Sequence, residues 1–405
     1  MYVRGFGGSW LDHPFWRVKF VLSTQADVLR VNQSGVPYVI IDTDRGVGVE
    51  IASTGAAATT PPAPVIMRRV KRSPSPGGWS DFERTRQNSD KQRATTLIAR
   101  SMRVLRGAFA DVRLGRAIRM SEVTAVVDDV VEMIERNPRT LLEMLRLKKK
   151  NEYTYMHSIA VCTLMANLAR HIGKSDAEMR EFGLAGLLHD LGKMEIPDAI
   201  LDKQGKLTDD EFREVREHPE YGYRMLQQTP NIPEAALDVC RHHHEKVDGS
   251  GYPFGLAEEA ISLVARIGAI CDVYDAVTSD RVYKDAWSPV TALSAMWSWD
   301  GHFDREMLFT FMQSVGVFPP GMLVELRSNR LALVLENKRR STRPRVVAFY
   351  STRERTFLEP DELVIQDNLA NDSIIAPAEP DDWGLEDWSA IAERLKQGQS
   401  AQLAA

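Results

Sequence analysis

Hydrophobic and polar positions divide this chain into stretches of different period. In residues 1–51 the apolar residues fall in short β-branched runs, Val18–Leu22 and Val36–Asp42, followed by the turn signal Asp44-Arg45-Gly46. That pattern predicts a small β-rich or α/β domain. Residues 52–95 lose the pattern. They are rich in Ala, Thr, Pro, Ser and Arg, with Pro61-Pro62 and Pro74-Ser75-Pro76-Gly77-Gly78. Such a segment cannot bury enough apolar surface to offset chain entropy, which predicts a disordered linker. Its basic run Arg68–Arg72 fits a solvated stretch of that linker.

From about 96 to 318 the period becomes helical. Val123, Val126, Val127, Val130, Val131 and Ile134 follow three-and-four spacing after Ser121, a candidate N-cap, and Asn137-Pro138 closes that helix. A second helix is expected over about 152–171, with Ile159, Leu164, Met165 and Leu168 inward. A third, over about 176–190, ends in His189-Asp190, with Gly192 available for a positive-φ terminus. Thr208 and Glu211 have the spacing of a capping box. A helix from about 233 carries His242-His243-His244, and others are expected over about 261–279, 288–298 and 303–315. After 320, Arg330–Glu336 and Arg345–Tyr350 predict two strands, and Trp383 to Leu395 a last helix. The expected fold class is therefore mainly α: connecting helices over 96–145, a helical domain over 146–320, and a short β unit, helix and loose tail over 321–405. No internal repeat is present.

Composition changes this picture at few points. A hydrophobic content of 43% and a charged content of 26% are ordinary for a globular chain of 405 residues. The net charge of −5 gives no sign of a nucleic-acid surface. No apolar run reaches the roughly 18 residues of a membrane span, and the mixed aromatics and charges from Trp10 to Phe20 do not resemble a signal peptide. Cys162, Cys240 and Cys271 form no Cys-x-x-Cys pair. That argues against a disulfide framework and for a cytoplasmic, reducing location. Buried thiols fit better than thiolate ligands.

Histidine is scarce, nine in the chain, yet His189, His218, His242, His243 and His244 fall in or beside two short runs, with Asp190 adjoining the first. Imidazole and carboxylate at this density point to a divalent metal site. With His157 and Asp272 added, the candidates lie on separate predicted helices, which can converge at the centre of a helical bundle. Neighbouring side chains on a helix point about 100° apart, so His243 and His244 can serve different ions. His13, His171, His242 and His302 fit structural, capping or loop positions, and Asp275 fits a hydrogen-bond partner of a ligand histidine.

Over about 150–320 the chain resembles the HD-GYP family, a branch of the HD superfamily of metal-dependent phosphohydrolases. The resemblance rests on His157-Ser158, on His189-Asp190-x-Gly192-Lys193 and on His218-Pro219-x-x-Gly222. It continues through His243-His244-Glu245-x-x-Asp248-Gly249-x-Gly251-Tyr252-Pro253 and Asp272-x-Tyr274-Asp275-Ala276-x-Thr278-Ser279-Asp280-Arg281. Gly-Gly-Ser-Trp-Leu-Asp-His-Pro-Phe and Ile-Asp-Thr-Asp-Arg-Gly near the N-terminus look like the small domain that often precedes HD-GYP.

The resemblance implies an HD-superfamily helical bundle that hydrolyses the second messenger cyclic di-GMP to pGpG and/or GMP at a dinuclear metal centre. The implied ligands are His157, His189, Asp190, His218, His243, His244 and Asp272, with Asp190 bridging. His189, Asp190 and Lys193 are the implied catalytic residues, and Lys193, Arg281 and Lys284 the implied substrate contacts. Two metals about 3.5–4 Å apart can activate water and stabilise charge on phosphate oxygens, with the cationic side chains adding to that charge. The family favours iron or manganese, and the nitrogen and oxygen ligands also suit nickel or zinc. Some members bind a third metal through a Glu four residues before the first ligand histidine. Here that position is Tyr153, with Glu152 one residue off, so two metals are expected. The implied partners are cyclic di-GMP and, through the Gly251-Tyr252-Pro253 loop, GGDEF-domain proteins, and a homodimer is compatible. Two other readings stay open: a catalytically inactive cyclic di-GMP sensor or adaptor, and a hydrolase for another cyclic dinucleotide.

Overall fold

The computed structural model describes residues 2–7, 20–21, 38–42, 78–145, 153–201, 203, 205–279, 286–336, 343–365, 372–399 and 401. The chain forms two units, Met1–Arg86 and Gln87–Ala405. The first holds a three-stranded antiparallel sheet of β1 (Tyr2–Gly7), β2 (Phe20–Val21) and β3 (Tyr38–Asp42), in the order β2-β1-β3. β2 and β3 fall in the two β-branched runs. The central strand β1 pairs Tyr2 with both Val21 and Asp42, and its register shifts between Val3 and Gly5.

The linker expected over 52–95 is revised at its end. Residues 52–77 lie outside the described residues, and from Gly78 the chain is helical as α1 (Gly78–Arg113). The average over 52–95 is dominated by its Pro- and Ala-rich first half. After Gly78 the chain turns to Glu, Arg, Gln, Lys and Ala, which lose little on entering a helix. Asp90, Ala94 and Leu97 are already buried.

α2 (Met120–Arg136) buries the predicted valine and isoleucine stripe. Its N-cap is Arg119, without a side-chain cap, and Ser121 lies inside the first turn, so the expected cap is corrected by one turn's entry. Asn137 ends α2 and Pro138 opens α3 (Pro138–Leu145), as the missing N–H of proline allows at a first helical position. α4 (Tyr153–His171) and α5 (Asp176–Leu188) form the most extensive helix pair and pack with α2. Ser175 and Glu178 cap α5 reciprocally.

After a 3₁₀ turn, Leu191–Glu195, come α6 (Asp198–Leu201), α7 (Asp209–Val215), α8 (His218–Gln227) and α9 (Glu234–His242). Thr208 and Glu211 form the expected capping box on α7. α10 (Leu263–Thr278), α11 (Pro289–Ser298) and α12 (Arg305–Val315) complete the helical layer. The buried Arg266–Asp304 pair at 3.0 Å and the Tyr274–Phe311 ring contact tie α10 to α12.

The C-terminal β unit has five strands where two were legible. β4 (Leu323–Leu326), β5 (Arg330–Leu335), β6 (Arg345–Ser351), β7 (Thr356–Val364) and β8 (Ile374–Pro377) form an antiparallel sheet in the order β7-β6-β5-β4-β8. β7 is an edge strand, polar and interrupted by Pro360, so its sequence has no apolar alternation. α13 (Trp388–Lys396) covers the sheet with Ile391, Ala392 and Leu395 against Leu331, Leu333 and Phe349.

Candidate metal centre

α4 carries His157, the end of α5 carries His189 and Asp190, α8 opens on His218, the end of α9 supplies His243 and His244, and α10 supplies Asp272. All seven converge. Their potential ligand atoms form two groups, His157, His189 and Asp272 in one, and Asp190, His218, His243 and His244 in the other. Helical spacing allowed His243 and His244 to point to different ions, but their potential ligand atoms fall together. α9 ends at His242, His243 is its C-cap, and both imidazoles enter the same group with their rings 4.1 Å apart. The 100° rule holds only within a helix, and these two residues lie where the helix stops.

Asp190 sits between the groups. Its Oδ2 lies 3.6 Å from His157 Nε2 and 3.3 Å from His189 Nε2, while its Oδ1 lies 3.4 Å from His218 Nε2 and 3.7 Å from His243 Nε2. Asp272 Oδ1 approaches His157 Nε2 at 2.9 Å and His189 Nε2 at 3.8 Å.

Four of the imidazoles are fixed from behind. His157 Nδ1 donates to Asp275 Oδ2 at 2.6 Å, His189 Nδ1 to the Gly186 carbonyl at 2.8 Å, and His218 Nδ1 to the Val215 carbonyl at 2.7 Å. His243 Nδ1 donates to the Val239 carbonyl at 2.9 Å. A carbonyl or an ionised carboxylate can only accept, so each bond holds a proton on Nδ1 and turns Nε2 toward the carboxylates. Metal-bound histidines are held in this way. His189 Nε2 and Asp190 Oδ1 are buried without a hydrogen-bond partner. Buried polar atoms are rarely left unsatisfied, and two such atoms among these imidazoles and carboxylates fit a divalent cation.

The charges agree with that fit. Burial works against ionised Asp190 and Asp272. Lys193 and His189 override it at Asp190, and His157 and His189 beside it override it at Asp272, holding both carboxyls well below the usual range. Lys193 Nζ reaches Asp190 Oδ2 at 2.5 Å. Burial also opposes charge on His189, but Asp190 and Asp272 lift its pKa to about 10. Burial, reinforced by His189 and His218, pushes His243 down to about 3, and burial with His243 and His218 pushes His244 well below its ordinary value. At neutral pH Asp190 and Asp272 are thus held as anions and His243 and His244 as neutral imidazoles, while His189 keeps a proton that a cation would displace.

Two glycines set the spacing. A Cβ on Gly192 would lie 1.9 Å from the His218 carbonyl oxygen and 2.4 Å from Gly222 N. The 3₁₀ turn after Asp190 therefore packs backbone against backbone on α8, which sets Asp190 against His218. Gly192 lies inside that turn without a positive φ, so close approach is its role rather than the expected helix terminus. A Cβ on Gly251 would lie 2.4 Å from Lys246 N.

The Gly251-Tyr252-Pro253 loop is anchored by Glu245, buried, which accepts from Phe254 N at 2.7 Å and Leu256 N at 3.0 Å. Tyr252 stacks on His244 with ring centroids 4.6 Å apart. Sequence gave Glu245 a place in a motif without this role, although a carboxylate just before a Gly-rich loop is a legible signal for it.

Other candidates fall away from the centre. His242 Nδ1 bonds Asp238 Oδ1 at 2.6 Å, and Cys162, Cys240 and Cys271 are buried, their thiols pushed up by burial. Arg281, Lys284, His13, Glu152 and the Tyr153 side chain lie outside the described residues.

An HD-domain profile matches residues 130–307, and that of a domain of unknown function, DUF3391, matches residues 1–123. A cyclic di-GMP phosphodiesterase of Pseudomonas aeruginosa is 44% identical over 401 residues, covering 97% of this chain and 94% of its own. The cyclic di-GMP phosphodiesterase response regulator RpfG of Xanthomonas campestris is 43% identical over 176 residues, 42% of this chain and 46% of its own. A 3'3'-cGAMP-specific phosphodiesterase of Vibrio cholerae is 39% identical over 147 residues, 36% of this chain and 32% of its own.

Proposed function

The chain belongs to the HD-GYP family of HD-domain proteins, and on that premise we propose that it hydrolyses cyclic di-GMP to pGpG and/or GMP with two divalent metal ions. The observation that carries this is the position of Asp190, whose two oxygens face two separate histidine sets. In this reading His157, His189 and Asp272 would hold one cation and His218, His243 and His244 the other, with Asp190 placed between the two groups to serve both. When bound, such a pair supplies a water acidic enough to attack at neutral pH and Lewis-acid stabilisation of a phosphodiester.

The chain's own residues prepare the site. The Nδ1 bonds orient four imidazoles before any ligand arrives, so little reorganisation is left for binding. Lys193 keeps Asp190 ionised and would add positive charge at the metal centre, where anionic charge grows most in the transition state. Arg281 and Lys284 would hold the rest of the dinucleotide. Nitrogen and oxygen donors with no thiolate suit iron or manganese.

Filled and converging ligand positions favour turnover over a sensor role. Relatives named for 3'3'-cGAMP make substrate selectivity the second question. The test is to purify the protein without chelator under low oxygen, quantify its metals, and follow cyclic di-GMP and 3'3'-cGAMP by chromatography. About two equivalents of iron or manganese, with faster conversion of cyclic di-GMP, is expected. Faster 3'3'-cGAMP hydrolysis would change the substrate. Nucleotide binding without turnover after metal reconstitution would replace the enzyme with a sensor.

A further inference from the structure

Arg216, the C-cap of α7 in the turn into α8, has no place in any motif, yet it stands beside the metal centre. Its guanidinium carbon lies 4.7 Å from the centroid of the Tyr252 ring. Tyr252 in turn stacks on His244, centroids 4.6 Å apart and planes 26° from parallel. His244 occupies one face of Tyr252, so the guanidinium takes the other. The three groups form a column that leads from a candidate metal ligand to solvent.

Arg216 is exposed and, among the described residues, makes no ion pair. Other cations of the helical domain are engaged by carboxylates. Lys193 is engaged by Asp190, Lys203 by Glu211, and Arg241 by Glu220. An arginine held flat on an aromatic ring keeps the in-plane edge of its donor fork free. The stack also limits the side chain's motion, so less freedom is lost when a ligand is bound.

We propose that Arg216 is a substrate-binding residue that takes the phosphate not being cut, one ring further out than the metal pair. This inference rests on the cyclic dinucleotide reading above. A cyclic dinucleotide carries two phosphodiesters and so two negative charges. The metal centre, with Lys193, meets the charge of the phosphate being cleaved. The second must stay near solvent or meet a cation, and bidentate pairing with a phosphate is what a free guanidinium fork does best. Because this contact changes little between substrate and transition state, it lowers KM rather than raising kcat.

The test compares wild type, Arg216→Gln and Arg216→Lys, all loaded with metal. It measures KM and kcat for cyclic di-GMP, the equilibrium Kd of the same nucleotide, and Tm. The expected result is a rise of at least about tenfold in KM and Kd for Arg216→Gln, with kcat within about threefold. Arg216→Lys should recover part of that loss through its charge. Unchanged KM and Kd in Arg216→Gln would overturn the assignment. So would a fall in kcat and Tm at constant KM, the mark of a residue that only props Tyr252. A wild type that binds but does not turn over the nucleotide would remove the enzymatic reading and leave the Kd ratio to decide Arg216. One that neither binds nor cleaves it would overturn both.

Discussion

At the scale of single residues, His189 is the point where a proton and a metal compete. Without metal, Asp190 and Asp272 hold its proton up to about pH 10, whereas His243, down at about 3, carries none at neutral pH. A cation must therefore displace about one proton from His189 and none from His243. Calorimetry of metal binding at pH 7.5 in buffers of different ionisation enthalpy should show that release, and affinity should rise with pH. No buffer dependence would contradict it. The sign for folding is opposite. A histidine raised above its unfolded value of about 6.5 stabilises the metal-free protein fully below that pH, and loses this as pH rises through about 10. His189→Ala should cut cyclic di-GMP turnover by at least about 100-fold and lower bound metal. Near-normal turnover in that variant would remove His189 from the site.

At the scale of elements, the site depends on where helices stop. His189 and His243 are both C-caps, and His218 is a first helical residue, so small changes in helix ends move ligands. Gly192→Ala would drive a Cβ into the His218 carbonyl, and overpacking of this kind costs about 1–3 kcal/mol or more. The expected result is loss of metal by elemental analysis, out of proportion to the loss of helix by circular dichroism. Ser175→Ala, at the other end of α5, removes one half of a capping box. It should cost about 1 kcal/mol in denaturant unfolding and leave KM and kcat unchanged. A change in kcat would mean that α5 is coupled along its length to the metal ligands.

At the scale of the whole molecule, the proposed metal centre links metal and fold in the unit Gln87–Ala405, because five helices contribute candidate ligands to it. A cation at about 1,000 times its Kd stabilises the folded state by about 4 kcal/mol. Chelation should therefore lower Tm by several degrees and addition of metal restore it. Leu333→Ala, in the C-terminal sheet, should cost about 2–5 kcal/mol with bound metal unchanged, since its neighbours in the core come from the sheet and α13. Retained Tm on chelation would argue that the centre is preformed without any energetic part in the fold.

The sequence by itself determined the helical core, the two end units and the identities of the candidate ligands. The valine stripe of α2 and the capping box at Thr208 are local patterns, readable because period and cap chemistry act within a few residues. The HD-GYP resemblance worked for a related reason, as it needs only residue types in order. What only tertiary structure decided is non-local. The pairing of His243 with His244 in one group, the backbone contact that requires Gly192, and the column from His244 through Tyr252 to Arg216 join residues from different elements. The polar edge strand β7 belongs with these, since its hydrogen bonds to β6 rather than its own alternation make it a strand. Distances across packed helices are set by the side chains between them, and no spacing along the chain encodes those.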